Sequence, residues 1–331
     1  MRLRLLLPLA FVAAGPALAA CSMPVGSTSV HDVAWVAKGA SVTLPGMDVT
    51  PVNLGRRHIG TPVTVGSLPS ALAYAPGGSA LLVVTQGDDQ LHEVDTATHH
   101  LVRSTGVGVE PDAVAVAPGG TGGKGIALVA NLDSNTVTPV DLGTWRAGRP
   151  VPVGTEPVAL AVFVGASGAA TAFVADFGSN AVTPIDITTM QPGAAIPVGP
   201  RPQTIAVAAG QVLVGNFSNH TLTPIDATTL RAARSVFLPI NPTGIAVAPS
   251  GSTAYVCGGA ALVPLTTPEL VVGTPVSLPD VAQGIALSAD GATAWVTLQA
   301  GSLVSVALAT GQVGTPIRLG GHPSAIVIGP G

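Results

Sequence analysis

The chain has 331 residues, and 71 of them are Gly or Pro. That is about one residue in five, against roughly 12% in an average protein. Long helices are excluded on this ground, because Gly and Pro destabilise a helix interior by about 1 and 3 kcal/mol. Only 9% of the residues are charged and 47% are hydrophobic, which excludes a disordered chain. A net charge of −4 without clustered Lys or Arg gives no electrostatic footprint for nucleic acid. A turn-rich all-β protein remains.

The first residues have the pattern of a secretory signal. Arg2 and Arg4 precede an apolar run over residues 5–14, which is too short to span a bilayer as a permanent helix. The sequence Leu18-Ala-Ala-Cys21 then resembles the bacterial lipobox, in which the Cys is diacylated and becomes the first residue of the mature protein. An ordinary signal peptidase site after Ala19 is the alternative.

The lipobox resemblance implies an anchored protein. We expect residues 1–20 to be a lipoprotein signal peptide and Cys21 to carry palmitate-type acyl chains. Residues 21–30 are then a flexible tether to the extracytoplasmic face of the cell membrane, because two acyl chains suffice for stable anchoring. No second apolar stretch is long enough to cross the bilayer.

Copies of one unit follow along the rest of the chain. The clearest are Leu128-Val-Ala-Asn131 with Val137-Thr-Pro-Val-Asp141, Phe173-Val-Ala-Asp176 with Val182-Thr-Pro-Ile-Asp186, and Leu213-Val-Gly-Asn216 with Leu222-Thr-Pro-Ile-Asp226. The opening position of the unit recurs at Pro69, Pro111, Pro157, Pro202, Pro242, Ala282 and Pro323. A spacing of about 42 residues accommodates four short strands and their turns, which is the period of a β-propeller blade.

The two ends of the chain together supply one more blade. Residues 323–330 form only an inner strand A, whereas residues 33–37, 49–54 and 61–65 match strands B, C and D. We therefore predict one all-β domain over residues 31–331, a seven-bladed β-propeller of four-stranded antiparallel blades. Its ring is closed by the C-terminal strand A and the N-terminal strands B–D. Eight blades are the alternative, because Ser41-Val-Thr-Leu44 is a surplus strand-like segment.

The repeat resembles the YVTN β-propeller repeat of YncE-like and bacterial surface-layer proteins. The naming tetrapeptide is degenerate here, as in Tyr255-Val-Cys-Gly258. The Asp that closes strand C in those repeats is matched by Asp95, Asp141, Asp186 and Asp226, and is replaced by Asn53. The resemblance implies a propeller over nearly the whole mature chain. It leaves the function open, because propellers include lyases, dehydrogenases, adhesins and scaffolds.

The four strand-C aspartates are interpreted as turn residues. Each has a Thr three residues later, and an Asp in this position can bond the backbone N–H groups of its own turn and the Thr hydroxyl. They also belong to different blades, so they are not expected to share a metal ion.

A second set of polar residues is expected to converge at the channel mouth. In a propeller, the B–C hairpins and the D–A connections surround the same end of the central channel. The residues before each strand-A Pro are expected to be held extended, which fixes their direction. The candidate ligand-binding residues are Glu110, Asn131, Glu156, Asp176, Arg201, Asn216, Asn241 and His322.

The sequence shows no catalytic, metal or cofactor motif. His99 and His100 are adjacent on a strand and point to opposite faces, and the other histidines lie on different blades or on the N-terminal arm. The glycine-rich residues 118–125 fail the spacing of a phosphate loop, and no nucleophile stands beside a plausible base. We expect no catalytic residue, no cofactor and no metal.

These observations favour an extracytoplasmic, membrane-anchored lipoprotein that acts as a binding or scaffold module. Its partner is expected to be a protein or a cell-wall component, and the protein itself is expected to be a monomer. An alternative is a propeller enzyme, a lyase or hydrolase with Glu110, Glu156, Arg201 and His322 at the mouth. A second alternative is DNA binding, as described for some YncE-like proteins. The acidic chain and the extracytoplasmic address argue against it.

Overall fold

The computed structural model describes residues 32–39 and 46–329. These residues form seven antiparallel sheets arranged as the blades of a closed ring, which confirms the predicted seven-bladed β-propeller. The expected lipidation site Cys21 and the strand-like segment at residues 41–44 lie outside the described residues. Within the described part of the chain, no helix is long and apolar enough to cross a membrane.

The strands are numbered in chain order and lettered A to D from the channel outward. Blade 1 contains β1 (Val33–Gly39), β2 (Asp48–Asn53), β3 (His58–Ile59) and β4 (Val63–Thr64), together with the last strand of the chain, given below. Blade 2 contains β5 (Pro69–Tyr74), β6 (Ala80–Thr85), β7 (Gln90–Asp95) and β8 (His100–Gly106). Blade 3 contains β9 (Pro111–Ala117), β10 (Ile126–Asn131), β11 (Thr136–Asp141), β12 (Arg146–Ala147) and β13 (Val151–Pro152).

The remaining blades follow the same order. Blade 4 contains β14 (Pro157–Val164), β15 (Ala170–Asp176), β16 (Ala181–Asp186), β17 (Gln191–Pro192) and β18 (Ile196–Pro197). Blade 5 contains β19 (Pro202–Ala208), β20 (Gln211–Asn216), β21 (Thr221–Asp226), β22 (Arg231–Ala232) and β23 (Val236–Phe237). Blade 6 contains β24 (Gly244–Val247), β25 (Thr253–Gly258), β26 (Ala261–Thr266) and β27 (Val276–Ser277). Blade 7 contains β28 (Ala282–Leu287), β29 (Thr293–Leu298), β30 (Ser302–Ala307), β31 (Gln312–Val313) and β32 (Ile317–Arg318), and β33 (His322–Gly329) completes blade 1. Two single-turn 3₁₀ helices, Thr121–Gly123 and Phe217–Asn219, lie in loops.

The chain termini close the ring as the sequence predicts. Strand β33 pairs antiparallel with β1, with Val36 opposite Ile326, and β1 pairs with β2. Strand β33 also lies beside β5 and β28, the inner strands of the two neighbouring blades. The first and last strands of the described chain are therefore hydrogen-bonded to each other, and the ring has no open end.

The inner strands are buried along almost their whole length. Strands β6, β9 and β10 show nearly continuous burial rather than alternation. Both faces of a blade pack against neighbouring blades, so successive side chains are covered on both sides. Ala, Val, Leu and Ile fill these positions, which explains why the chain has so few charged residues.

The outer strand of most blades is not the single strand D that the sequence predicts. It is split into two short pieces in blades 1, 3, 4, 5 and 7, and among the described residues only blade 2 has a continuous strand D, β8. In five blades strand C carries a Pro, which cannot donate to strand D. Its carbonyl accepts instead from the residue that interrupts strand D, as in the 2.7 Å bond from Gly148 N to Pro139 O. Blade 7 has the same interruption without a Pro, with a 2.8 Å bond from Gly314 N to Ser305 O, so the Pro is not its sole cause.

The strand-C aspartates are turn residues, which confirms their interpretation. The Asp141 carboxylate accepts from Thr144 N at 2.8 Å, and it also accepts from the N–H and hydroxyl groups of Thr121. These bonds, with the Thr144 backbone bond the largest contribution, hold the pKa of Asp141 down at about 2. Asp95, Asp186 and Asp226 make the same bond to a Thr N–H three residues later.

Removal of residues 322–331 tests the ring closure. The deletion exposes the inner face of blade 1 and removes the buried Ile326 and Val327, which contribute about 2 kcal/mol each. We expect the thermal midpoint to fall by about 10 °C or more in calorimetry. Removal of residues 330–331 alone is the control and should leave the midpoint unchanged. Equal midpoints for the two deletions would contradict the closure.

Candidate functional site: the channel mouth

Hydrogen bonds between neighbouring blades form the rim of the channel mouth. At three junctions the backbone N–H before strand A donates to a side chain in the B–C hairpin of the preceding blade. Each bond is 2.8 Å long, and the pairs are Glu110 with Asp89, Glu156 with Asn135, and Arg201 with Asn180. The B–C hairpins and the D–A connections therefore lie at one end of the channel, as expected.

The expectation of an extended backbone before strand A is wrong at four positions, whereas His322 lies in strand β33. Leu68, Glu110, Glu156 and Arg201 have φ values of 59°, 51°, 53° and 54°. The left-handed conformation costs a non-glycine residue about 1–2 kcal/mol. At the last three positions, the hydrogen bond from the residue's own N–H to the preceding blade offsets this cost. The competing preference of a pre-proline residue for extended backbone is therefore overridden by a contact between blades.

Five of the eight predicted residues stand on this rim, one in each of five blades. Arg201 is exposed, and Glu110, Glu156, Asn241 and His322 are half-buried. Their side chains start at the ends of the innermost strands, next to the channel. That they recognise a ligand stays a prediction.

Three rim side chains have defined contacts that fix their positions. The guanidinium carbon of Arg201 lies 5.5 Å from the centre of the Phe177 ring, in a cation–π arrangement. The Asn241 amide donates to the Phe217 carbonyl at 3.0 Å. The Nδ1 atom of His322 lies 3.2 Å from the Gln299 carbonyl.

The other three predicted residues, Asn131, Asp176 and Asn216, are fully buried at the ends of strand B. A glycine of the D–A connection passes directly over each of them. A Cβ atom added at Gly108, Gly154 or Gly199 would lie 2.6 Å from the amide or carboxyl carbon beneath it. These three side chains therefore hold the D–A connection in place and have no surface exposed to a ligand in solution.

Asp176 differs from the two asparagines by its charge. Burial raises the pKa of Asp176 to about 6, against hydrogen bonds from Thr183 and from the Gly154 N–H. In the equivalent positions, Asn131 and Asn216 donate to Thr138 and Thr223 at 2.9 and 2.8 Å. Blade 4 thus carries a carboxyl group where two other blades carry a neutral amide.

A further buried carboxyl group, Asp112, was not identified from the sequence. It follows Pro111 at the start of strand A and forms a β-bulge, so its side chain is turned toward blade 2. Its Oδ1 atom accepts from the Gln86 amide at 2.7 Å, and its Oδ2 atom has no hydrogen-bond partner in the described part of the chain. Burial, and then the charge of Glu110, raise the pKa of Asp112 well above its usual range.

The sequence did contain a signal for Asp112. The same position of the repeat holds Ser70, Val158, Gln203, Thr243, Gln283 and Ser324, all of them uncharged. The hydroxyls of Ser70, Thr243 and Ser324 donate to the first carbonyl of the next inner strand, at 3.0–3.1 Å. Asp112 departs from this pattern by placing a carboxyl group inside the rim.

One part of the mouth is uniformly acidic, and we call it the acidic sector. It consists of the mouth segments of blades 2–4, residues 86–90, 106–112, 131–136, 152–157 and 176–181. These segments contain no Lys or Arg, and their acidic residues are Asp88, Asp89, Glu110, Asp112, Asp133, Glu156 and Asp176. Arg201 borders this sector, and its guanidinium stacks on Phe177 within it. The sector suits a ligand that carries positive charge.

The described residues contain no metal site, and a groove elsewhere on the ring has no charged lining residue. Within residues 32–39 and 46–329, no group of three or more His, Cys, Asp or Glu residues could hold a metal ion. A groove of about 560 Å³ lies between the outer parts of blades 6 and 7 and is lined by Pro264, Val276, Leu308 and Val313 among others. None of its lining residues is charged, and it does not reach the mouth.

Solved structures share the fold of this chain at low sequence identity. A functionally unknown protein from Desulfotomaculum acetoxidans has a TM-score of 0.78 at 14% identity, over 89% of this chain and 98% of its own. A putative 6-phosphogluconolactonase from Bacteroides fragilis has a TM-score of 0.71 at 16% identity, over 92% and 99% of the two chains. Hydrazine synthase from Kuenenia stuttgartiensis has a TM-score of 0.65 at 18% identity, over 82% and 90%. No family model and no curated protein matches the sequence. The likeness therefore extends to the propeller fold alone.

Replacement of Asp176 by Asn tests the buried carboxyl group. Since folding raises its pKa, Asp176 favours the folded state below about pH 4 and loses that contribution as the pH rises through about 6. Asp176→Asn supplies the amide found in two other blades, so we expect it to stabilise the protein by about 1–3 kcal/mol at pH 8.

The advantage of Asp176→Asn should shrink to near zero at pH 4, measured as the difference in denaturant unfolding between variant and parent. The control is Asn216→Asp, which should produce the opposite change at pH 8. A stability difference for Asp176→Asn that did not vary with pH would contradict this account.

Proposed function

We propose that the protein is an extracytoplasmic, lipid-anchored propeller of the YVTN/YncE-like type that binds an envelope partner at its channel mouth. The partner is a protein or cell-wall component, and it presents a cationic group to the acidic sector. The proposal combines the lipobox-like Leu18-Ala-Ala-Cys21 with the chemistry of the mouth. It describes a binding module rather than an enzyme.

The distribution of charge at the mouth carries this proposal. Seven acidic residues lie in three adjacent blades without a Lys or Arg in the mouth segments, although the chain as a whole has few charged residues. A structural explanation accounts for Asp89, which bonds the Glu110 N–H, and for the buried Asp176. At Glu110 and Glu156 the backbone N–H makes the contact with the preceding blade, so that contact does not require an acidic side chain.

The acidic groups also act on one another. The charge of Glu110 helps to raise the pKa of Asp112, so the two carboxyl groups interact unfavourably when both are ionised. A cationic group bound between Glu110 and Glu156 relieves this repulsion. The channel walls are apolar inner strands, which strengthen such an interaction relative to one in bulk water.

The second candidate is a hydrolase, and the observation that favours it is the likeness to the putative 6-phosphogluconolactonase from Bacteroides fragilis. Glu156, Arg201 and His322 offer a general base, a cation and an imidazole on the same rim. The acidic sector opposes a phosphorylated substrate, however, because it repels anions. The same repulsion opposes DNA binding.

Two variants that each lack one carboxylate compare ligand binding at the mouth with binding at the opposite face of the ring. Glu156→Gln should weaken the binding of a Lys-rich peptide and of isolated cell-wall fragments by about two- to fivefold at low salt. The effect should decline as the salt concentration rises, since the rim is partly solvated. The matched control is Glu269→Gln, an exposed acid in a C–D turn at the other end of the ring. Affinities are measured by titration calorimetry on residues 21–331.

Two outcomes distinguish the candidates. Equal binding by both variants and the parent contradicts the acidic-sector proposal. Turnover of 6-phosphogluconolactone that Glu156→Gln abolishes, without any binding of cationic ligands, favours the hydrolase instead.

The anchor has its own test. Cys21→Ala should abolish incorporation of radiolabelled palmitate and leave the precursor unprocessed, because the thiol is the acylation site. The control is Cys257→Ala, since this second cysteine is fully buried in strand β25. Unchanged labelling of Cys21→Ala would contradict lipid anchoring.

A further inference from the structure

Blade 2 departs from the other blades in its strand C. Four blades carry Thr-Pro in the middle of this strand, at residues 50–51, 138–139, 183–184 and 223–224, whereas blade 2 carries His92-Glu93. In blade 2, strand D is continuous as β8 and pairs with strand C along its length. The register places Ser104 directly opposite His92.

A chain of side-chain hydrogen bonds crosses blade 2 at this point. The Ser104 hydroxyl lies 2.7 Å from His92 Nδ1, and the other ring nitrogen, Nε2, lies 2.9 Å from the Thr85 hydroxyl. Thr85 in turn donates to the Asp88 carboxylate. His92 is 3% exposed, so its ring is fixed between these partners.

The Asp88 carboxylate, at the end of this series of hydrogen bonds, determines which group donates in each bond. A carboxylate can only accept, so the Thr85 hydroxyl donates its proton to Asp88. The Thr85 oxygen then accepts from His92 Nε2–H, which leaves Nδ1 of the neutral ring without a proton. Nδ1 therefore accepts from the Ser104 hydroxyl. Burial lowers the pKa of His92, against the charge of Asp88, which favours this neutral form.

We propose that Ser104 and His92 form a nucleophile–base pair for acyl transfer from carboxylic esters at the outer edge of blade 2. Ser104 is the nucleophile, His92 is the general base, and Thr85 and Asp88 are positioning residues that fix the His92 tautomer. This arrangement follows the general logic of an activated serine, in which a base is oriented by a third group.

The reaction balances with water as the only co-reactant. The Ser104 oxygen attacks the ester carbonyl while its proton passes to His92 Nδ1. Collapse of the tetrahedral intermediate breaks the bond to the alcohol, which leaves with that proton. Water then attacks the acyl-serine, with Nδ1 taking and returning a proton, and releases the carboxylic acid.

The surroundings of Ser104 give a substrate access. Ser104 is exposed, and β8 is the outer edge of its sheet in the described structure. An edge strand presents N–H groups that no neighbouring strand occupies, and such groups can bond an acyl oxygen. Leu101 and Val102 on the same strand are 42% and 55% exposed, so they offer an apolar surface to a short acyl chain.

The repeat itself provides a matched control. In blade 5 the same two positions hold Thr223 and Ser235, whose hydroxyls lie 2.9 Å apart. Ser235 thus has the same place in its blade as Ser104, but its partner is not a base. His92→Thr converts the blade 2 pair into the blade 5 pair and keeps a residue that four blades accept.

The experiment labels the purified protein with a fluorophosphonate probe and measures hydrolysis of p-nitrophenyl butyrate. We expect the parent to label, with the adduct located at Ser104 by peptide mass spectrometry. Ser104→Ala and His92→Thr should reduce labelling and hydrolysis at least tenfold, while Ser235→Ala retains both. Thermal unfolding confirms that each variant is folded.

Two results overturn the proposal. One is a parent protein that neither labels nor hydrolyses the ester. The other is labelling that persists in folded Ser104→Ala or His92→Thr, because the nucleophile or the base then lies elsewhere. Loss of mouth binding in Glu156→Gln has no bearing on this result, because Glu156 is not one of the hydrogen-bonded residues Ser104, His92, Thr85 and Asp88.

Discussion

The molecule depends on hydrogen bonds that pass from one blade to the next at the channel mouth. Asp89, Asn135 and Asn180 each hold the backbone of the following blade just before its inner strand. Beneath them, a buried Asx at the end of strand B lies under a glycine of the D–A connection. At these three junctions the contact comes from a backbone N–H, so it does not depend on which side chain stands at the position. A uniform framework can therefore carry Glu, Arg, Asn and His at equivalent positions.

Much of the fold follows from the sequence because the copies of the repeat unit are so similar to one another. The recurring opening position gave the period, and the strand-like segments at both ends gave the closure that β1 and β33 form. The strand-C aspartates were correctly interpreted because an Asx turn is a local device that needs only a few neighbouring residues. The same local reasoning wrongly predicted an extended backbone at Glu110, Glu156 and Arg201, which precede strand A. There the backbone conformation is decided by a partner in the preceding blade, about 21 residues away in the chain.

The candidate site was only partly accessible to sequence reasoning. Glu110, Glu156 and Arg201 were placed correctly on the rim, but the burial of Asn131, Asp176 and Asn216 depends on how closely Gly108, Gly154 and Gly199 approach them. Asp112 and the His92–Ser104 pair were missed for another reason. The repeat pattern points to residues that recur, whereas these residues depart from it. Asp112 is a carboxyl group at a position that is uncharged in the other blades, and His92-Glu93 replaces Thr-Pro. In a repeat protein, a departure from the unit is as informative as the unit itself.

The interrupted outer strands also bear on how copies of the molecule can meet. A propeller presents one outer edge per blade, and continuous edges on several blades would let molecules join by strand pairing into chains or sheets. Here five edges are split, and that of blade 6 is reduced to Val276–Ser277 and one isolated bridge. Blade 2 has a continuous edge in the described structure. Association through a single edge uses the same surface on both partners and ends at a pair, so it cannot propagate into a fibre.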